Sequence, residues 1–207
     1  VELSSDGDYT IEVLSDAYEG EETGAYRLRF NRIAPADRIV VGTDLSLTPD
    51  AVTGFPTAAL RAVNPGGTVA IGEGTYPMQQ YAPVGAGVTV KGAGPQATTL
   101  QWLGDDFLRV EQNTVVRNLT LERVEAHPDP MVDLRRNATG VTVENVRFVG
   151  TSSGIGGSTD THDFTGSLLS FELEAAYGDP YLGIELTGDR IQIEDSEFHG
   201  IDGQNLA

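Results

Sequence analysis

Between residues 151 and 181 the chain reads Thr-Ser-Ser-Gly-Ile-Gly-Gly-Ser-Thr-Asp-Thr-His-Asp-Phe and onward, which puts Asp160, His162 and Asp163 close together. Carboxylates beside an imidazole can exchange a proton as an acid/base pair, or hold a divalent cation such as Ca2+ through their oxygens. These three are the candidate catalytic residues, and the pattern does not specify a metal. Tyr177 and Tyr181 flank Gly178-Asp179-Pro180. Their rings can stack on a sugar or brace the turn. With His199 and Asp202 near the last strand-like segment, they form the candidate binding set. The competing reading is a solvated Gly/Ser/Asp loop in an acid-rich chain. Gly154-Ile155-Gly156-Gly157 is not a nucleotide fingerprint, because no strand-to-helix turn is predicted around it. Asn118 and Asn137 each begin an Asn-x-Thr sequon. Asn137, in the turn Arg135-Arg136-Asn137-Ala138-Thr139-Gly140, is the expected glycosylation site in an exported protein.

The elements that must position these groups repeat. Segments beginning at Val88, Val115, Val141 and Ile191 align, and measured at Val90, Val116, Val143 and Ile193 the steps are 26, 27 and 50 residues. Shorter strand-like runs at Leu108, Val132 and Ile184 precede the last three. Three short strands per coil, stacked about 4.8 Å apart, predict an all-β, parallel β-helix of triangular section. Alternation sends Val116, Val143 and Ile193 inward, together with Leu121, Phe148 and Phe198. Asn118, Asn145 and Asp195 share one turn position, where Asn tolerates left-handed geometry and can form an internal ladder. Outside, Arg117 is expected beside Glu144 and Arg109 beside Asp133. The 50-residue step is either one coil carrying a long loop, 151–181, or two coils. If Leu168–Leu173 is a strand of an extra coil, the loop shrinks to 151–166.

Ahead of the repeat, Pro56 opens a short helix ending at Val63, followed by Gly66-Gly67, a strand at 68–71 and Gly72-Glu73-Gly74-Thr75-Tyr76. This order resembles the amino-terminal cap and first coil of pectin-lyase-like right-handed parallel β-helices. The resemblance implies a helix plugging the solenoid end over a β-helix spanning 56–207. Residues 1–33 alternate as an antiparallel pair (Tyr9, Ile11, Val13; Tyr26, Leu28, Phe30) and resemble the closing strands of pre-peptidase C-terminal β-sandwich domains. Residues 34–55 are expected as a linker. The chain stops soon after a strand-like segment, so the solenoid is expected to be truncated at its C-terminus. Arg117-Asn118-Leu119-Thr120, Ile193-Glu194-Asp195 and His199-Gly200-Ile201-Asp202-Gly203 are similar to coil segments of pectate lyases. That family's pattern calls for calcium-binding aspartates and a downstream catalytic arginine, and no residue here takes the place of the arginine. The motifs of pectin methylesterases and polygalacturonases are also absent. The resemblance implies a fold and no reaction.

Charge narrows the partners. The chain carries 31 acidic and 13 basic residues, Lys91 being its one lysine, for a net charge of −18. Nucleic acid is excluded on this balance, because its phosphates would be repelled. The acids are spread along the whole chain, as on surfaces that stay solvated in molar salt, where charges are screened within about 3 Å. A halophilic, haloarchaeal-type secreted protein is the expectation, against the alternative of a dedicated cation site. No apolar run approaches a membrane span. The absence of cysteine leaves the compartment open. Two functions remain. One is an extracellular or cell-surface module, structural, adhesive or binding a polysaccharide or surface glycan, in which a homo-oligomer would suit a spike. The other is a polysaccharide-active lyase or glycoside hydrolase on the outer sheet and the 151–181 loop. Convergence of Asp160, His162, Asp163, His199 and Asp202 on one groove would separate them.

Overall fold

The computed structural model describes residues 33–42, 52–53, 55–78, 81–102, 108–125, 129–136, 138–151, 153–157, 163–173, 183–186 and 190–199. Within them the chain winds as a parallel β-solenoid. One row of strands is β1 (Ala36–Val41), β3 (Val63–Ile71), β6 (Thr89–Lys91), β9 (Val115–Arg123), β11 (Val141–Gly150), β13 (Asp163–Ser167) and β16 (Arg190–Glu194), with β2 (Val52–Thr53) on the outer edge of β1. A second row holds β4 (Gly74–Met78), β7 (Thr98–Trp102), the far halves of β9 and β11, β14 (Ser170–Leu173) and β17 (Glu197–His199). The third is a separate sheet of β5 (Ala82–Val84), β8 (Leu108–Val110), β10 (Val132–Leu134), β12 (Ile155–Gly157) and β15 (Ile184–Glu185). Every described pairing is parallel.

The core is a set of columns, each filled by one residue per coil. Val69, Val90, Val116, Val143, Gly166 and Ile193 are register partners in the first row. Tyr76, Leu100, Leu121, Phe148, Phe171 and Phe198 follow one another in the second. The Phe148 and Phe171 rings stack at 4.7 Å, and those of Phe171 and Phe198 at 4.8 Å. Val116, Val143, Leu121 and Phe148 are fully buried, as alternation predicts; Ile193 and Phe198, in the last described coil, are partly buried against the same core. A third column reads Met78, Trp102, Arg123, Gly150 and Leu173. There the Arg123 side chain is buried, and a Cβ on Gly150 (φ +118°) would lie 1.9 Å from the Arg123 carbonyl oxygen. Glycine is required at that position by space as well as by dihedral.

The bend between the first two rows is made by single left-handed residues. Asn118, Asn145, Leu168 and Asp195 have φ of 58°, 52°, 53° and 48°. Asn145 Nδ2 donates to Asn118 Oδ1 at 2.9 Å, which is the internal ladder. Two buried threonines brace the earlier corner. Thr98 Oγ1 accepts from the Ala93 amide at 2.9 Å and donates to the Gly72 carbonyl at 2.8 Å, and Thr120 Oγ1 donates to the Pro95 carbonyl at 2.6 Å.

Three expectations change. The 50-residue step is two coils, because β13 and β14 form an extra one around Leu168; with β12 they place strands inside the stretch expected as a loop at 151–181. The 34–55 stretch expected as a linker contains β1, whose Ile39 and Val41 are buried and which pairs with β3. A parallel strand needs such a buried apolar run, and Ile39-Val40-Val41 supplies it. Finally, α1 spans Pro56–Ala62, and Val63, already extended, begins β3. Pro56 pre-sets the first turn. Ala59 and Leu60 are buried, and the helix packs on β5, the edge strand of the separate sheet. Covering that edge hides its unpaired backbone groups. The expected antiparallel segment at 1–33 falls almost entirely outside the described residues.

Candidate functional site

Of the residues nominated from sequence, Asp163 and His199 are described; Asp160, His162, Tyr177, Tyr181, Asp202 and Asn137 lie outside the described residues. Asp163 begins β13, and its Oδ2 is 2.9 Å from Arg190 Nη2 on the next strand, β16. His199 ends β17, aligned with Glu172, and its Nε2 lies 3.0 Å from Glu197 Oε2. The two stand on different strands, on opposite sides of the left-handed bend, and the fold does not pair them. Among the described residues no three His, Asp or Glu side chains gather as a metal set. Asn118, the other sequon asparagine, spends its amide oxygen in the ladder.

The outer surface of the second row carries Gln101, Glu122, Arg147, Glu172 and His199. Gln101 Nε2 donates to Glu122 Oε2 at 2.8 Å, and Arg147 Nε donates to Glu172 Oε1 at 2.7 Å, with a second bond from Nη2 to Oε2. This two-pronged contact holds the Glu172 carboxyl below the ordinary carboxylate range, against the opposing pull of partial burial. It raises the Arg147 guanidinium correspondingly. A general acid for glycoside cleavage needs the opposite shift. Glu172 is therefore an ion-pair anchor between neighbouring coils.

The separate sheet presents a different surface. Its outward column runs Pro83, Arg109, Asp133, Gly156. Arg109 Nε donates to Asp133 Oδ2 at 2.7 Å, and the guanidinium carbon lies 5.2 Å from the centre of the Tyr81 ring. The pair at Asp133 raises the Arg109 guanidinium against the opposing effect of burial, which is the largest single influence on it. Next to this pair a groove of about 490 Å³ opens, with Arg109, Asp129, Pro130, Asp133, Arg135, Arg136, Ser153, Gly156 and Gly157 among its lining. Gly156 stands where the two preceding coils project Arg109 and Asp133, and the Pro130 ring lies over it. A Cβ on Gly156 would come 2.8 Å from the Pro130 ring, so proline and glycine define the concavity together. On the rim, Arg135 Nη1 meets Glu111 Oε1 of the preceding coil at 2.6 Å, and 61% of the Arg135 side chain remains exposed.

Sequence reasoning did not find this groove. Arg109 and Asp133 read as an outer charge pair, Arg135 and Arg136 as a turn before a sequon, and Gly156-Gly157 as loop. These residues belong to three coils and become neighbours only when the coils stack. The usable signal was a register position holding Arg, then Asp, then Gly.

No family model matches the chain, and no curated protein matches it. Among solved structures, a match is the catalytic domain of a GH87 alpha-1,3-glucanase variant in complex with tetrasaccharides, at 12% identity and a TM-score of 0.38. It covers 63% of this chain and 34% of that one, so the chain spans about a third of that structure's length. No helix among the described residues is long and apolar enough to cross a membrane.

Proposed function

We propose that this chain is a glycan-binding, structural or adhesive β-helix module that works outside the cell or on its surface, in a salt-rich setting. The observation that carries the reading is the groove on the separate sheet. It is a concavity of strand and turn residues with guanidinium groups and a hydroxyl, the kinds of group that orient a saccharide. The outer carboxylates supply a second argument. Asp133, Glu111, Glu172 and Asp163 are each held by an arginine of an adjacent coil. Side chains committed in this way fasten coils together. The charge of −18 with a single lysine suits a surface that must stay hydrated in molar salt.

A second reading, a polysaccharide-active enzyme, is favoured by one observation: Asp129 and Asp133 line the same groove, as two carboxylates flanking a glycosidic bond would. The nominated residues Asp160, His162 and Asp163 remain part of that proposal. Both readings are tested by incubating the protein in molar salt, with and without calcium, with immobilised neutral and acidic glycans. Retention of the protein without release of reducing ends or unsaturated products is the expected result. Turnover abolished by Asp129→Asn or His162→Ala would replace the binding module with an enzyme.

A further inference from the structure

The groove on the separate sheet gathers arginines on an acid-rich chain. Three guanidinium groups, those of Arg109, Arg135 and Arg136, and two carboxylates, those of Asp129 and Asp133, line it. With Glu111, held by Arg135 at the rim, the charges balance, and the site concentrates three of the 13 basic residues of a chain whose total is −18. Arg109 is held in place by Asp133 and the Tyr81 ring. Arg135 is steadied at one nitrogen by Glu111 and otherwise largely exposed. Arg136 follows it directly at the exposed turn after β10. Beneath them the Pro130 ring packs directly on Gly156 and forms part of the floor.

We infer that this groove binds a saccharide through an anionic unit, a carboxylate or sulfate on one sugar, gripped by Arg135 and Arg136. The inference rests on the glycan-binding reading and gives it a ligand class. Arginine presents a planar fork that matches either anion with two parallel hydrogen bonds, which a neutral hydroxyl cannot reproduce. The charge of the whole chain disfavours a long, densely charged polyanion. The fit is therefore to an isolated anionic sugar in an otherwise neutral glycan. Asp129 works against the anion and keeps the preference from extending to every negative ligand.

The test titrates isotope-labelled full-length protein with three matched trisaccharides: one with a single terminal glucuronate, one with sulfate in its place, and the neutral glucose counterpart. Either anionic probe, or both, should shift the Gly156 and Gly157 amides, with affinity falling as salt rises, while the neutral probe binds at least several-fold more weakly. Arg135→Gln/Arg136→Gln should weaken anionic binding by about tenfold or more, the factor expected for losing charge-assisted hydrogen bonds on a partly exposed rim. Asp129→Asn should tighten it, a gain that misfolding cannot imitate. Equal binding of the neutral probe at the same amides would overturn the anion preference and leave the glycan-binding reading in place. So would anionic binding that ignores both variants, which would move the site elsewhere. If none of the three probes binds and the glycan panel also fails, the glycan-binding reading falls as well.

Discussion

Leu168→Asn should stabilise the protein. Leu168 holds φ 53° at the bend of its coil and is 53% exposed, while the same bend is made by Asn118, Asn145 and Asp195 in other coils. A left-handed backbone costs an ordinary L-residue about 1–2 kcal/mol, and asparagine less, so the change recovers about 1 kcal/mol. The introduced amide can donate to Asn145 Oδ1 as Asn145 donates to Asn118, adding about 0.5–1 kcal/mol. Uncovering the buried half of the leucine removes about 1 kcal/mol. The net is a gain of about 1 kcal/mol, which in a chain of this length raises Tm by about 2–4 °C. Leu168→Ala loses the same apolar cover and keeps the strained dihedral, so it should melt below the parent. Thermal melts of the three proteins, paired with amide exchange across residues 163–173, measure the order directly. If the asparagine variant melts at or below the alanine variant, the bend is not what limits this coil and the reasoning fails.

Gly150→Ala should destabilise by about 3–5 kcal/mol, since the new methyl collides with the Arg123 carbonyl and the backbone is left-handed; a urea midpoint near wild type would contradict the placement. Phe171→Ala opens the middle of the Phe148–Phe171–Phe198 stack and should cost about 3–5 kcal/mol, with exchange protection lost first in β14 and β17. Glu172 titrates below its unfolded value because Arg147 hydrogen-bonds its charged form. Its contribution to stability is therefore complete above the unfolded carboxylate pKa of about 4.3 and is lost as pH falls through the lower folded value. Urea denaturation between pH 3 and 7 should show a shallower acid limb in Glu172→Gln, and an unchanged limb would remove the assigned role of Arg147.

The repeat was legible wherever a coil repeated its own chemistry. Val116 and Val143, Leu121 and Phe148, and Asn118 and Asn145 announce the period because like residues occupy like positions. The coil at 163–173 stood only as an alternative, on the run Leu168–Leu173, because Gly166 stands in the valine column and Leu168 in the asparagine turn. The stacked geometry, with neighbours on both sides, holds that coil in register where its own residues do not. β1 was misread for a related reason. Three apolar residues flanked by Arg38 and Gly42 carry no alternation, and pairing with β3 is what makes them a strand. The nominated site residues were chosen for proximity along the chain, whereas a solenoid brings together residues about one coil apart. That is why Asp163 meets Arg190 and not His199, and why the groove, beyond the expected Arg109–Asp133 pair, showed only as a register position that continues to Gly156.

The left-handed leucine in the asparagine turn has a mechanical consequence. In a stack of parallel strands the backbone hydrogen bonds run along the long axis, so tension along that axis loads the coils in series, like links in a chain. Leu169 and Phe164 fill the space beside Gly166, but the link between β11 and the coil of β13 and β14 has no amide rung at Leu168 like the one that joins Asn145 to Asn118. A tether that yields should open there first, at a defined extension, and reseat when released because the columns on either side remain assembled. For a module under shear at a surface, such a yielding point would act as a fuse protecting the remaining coils.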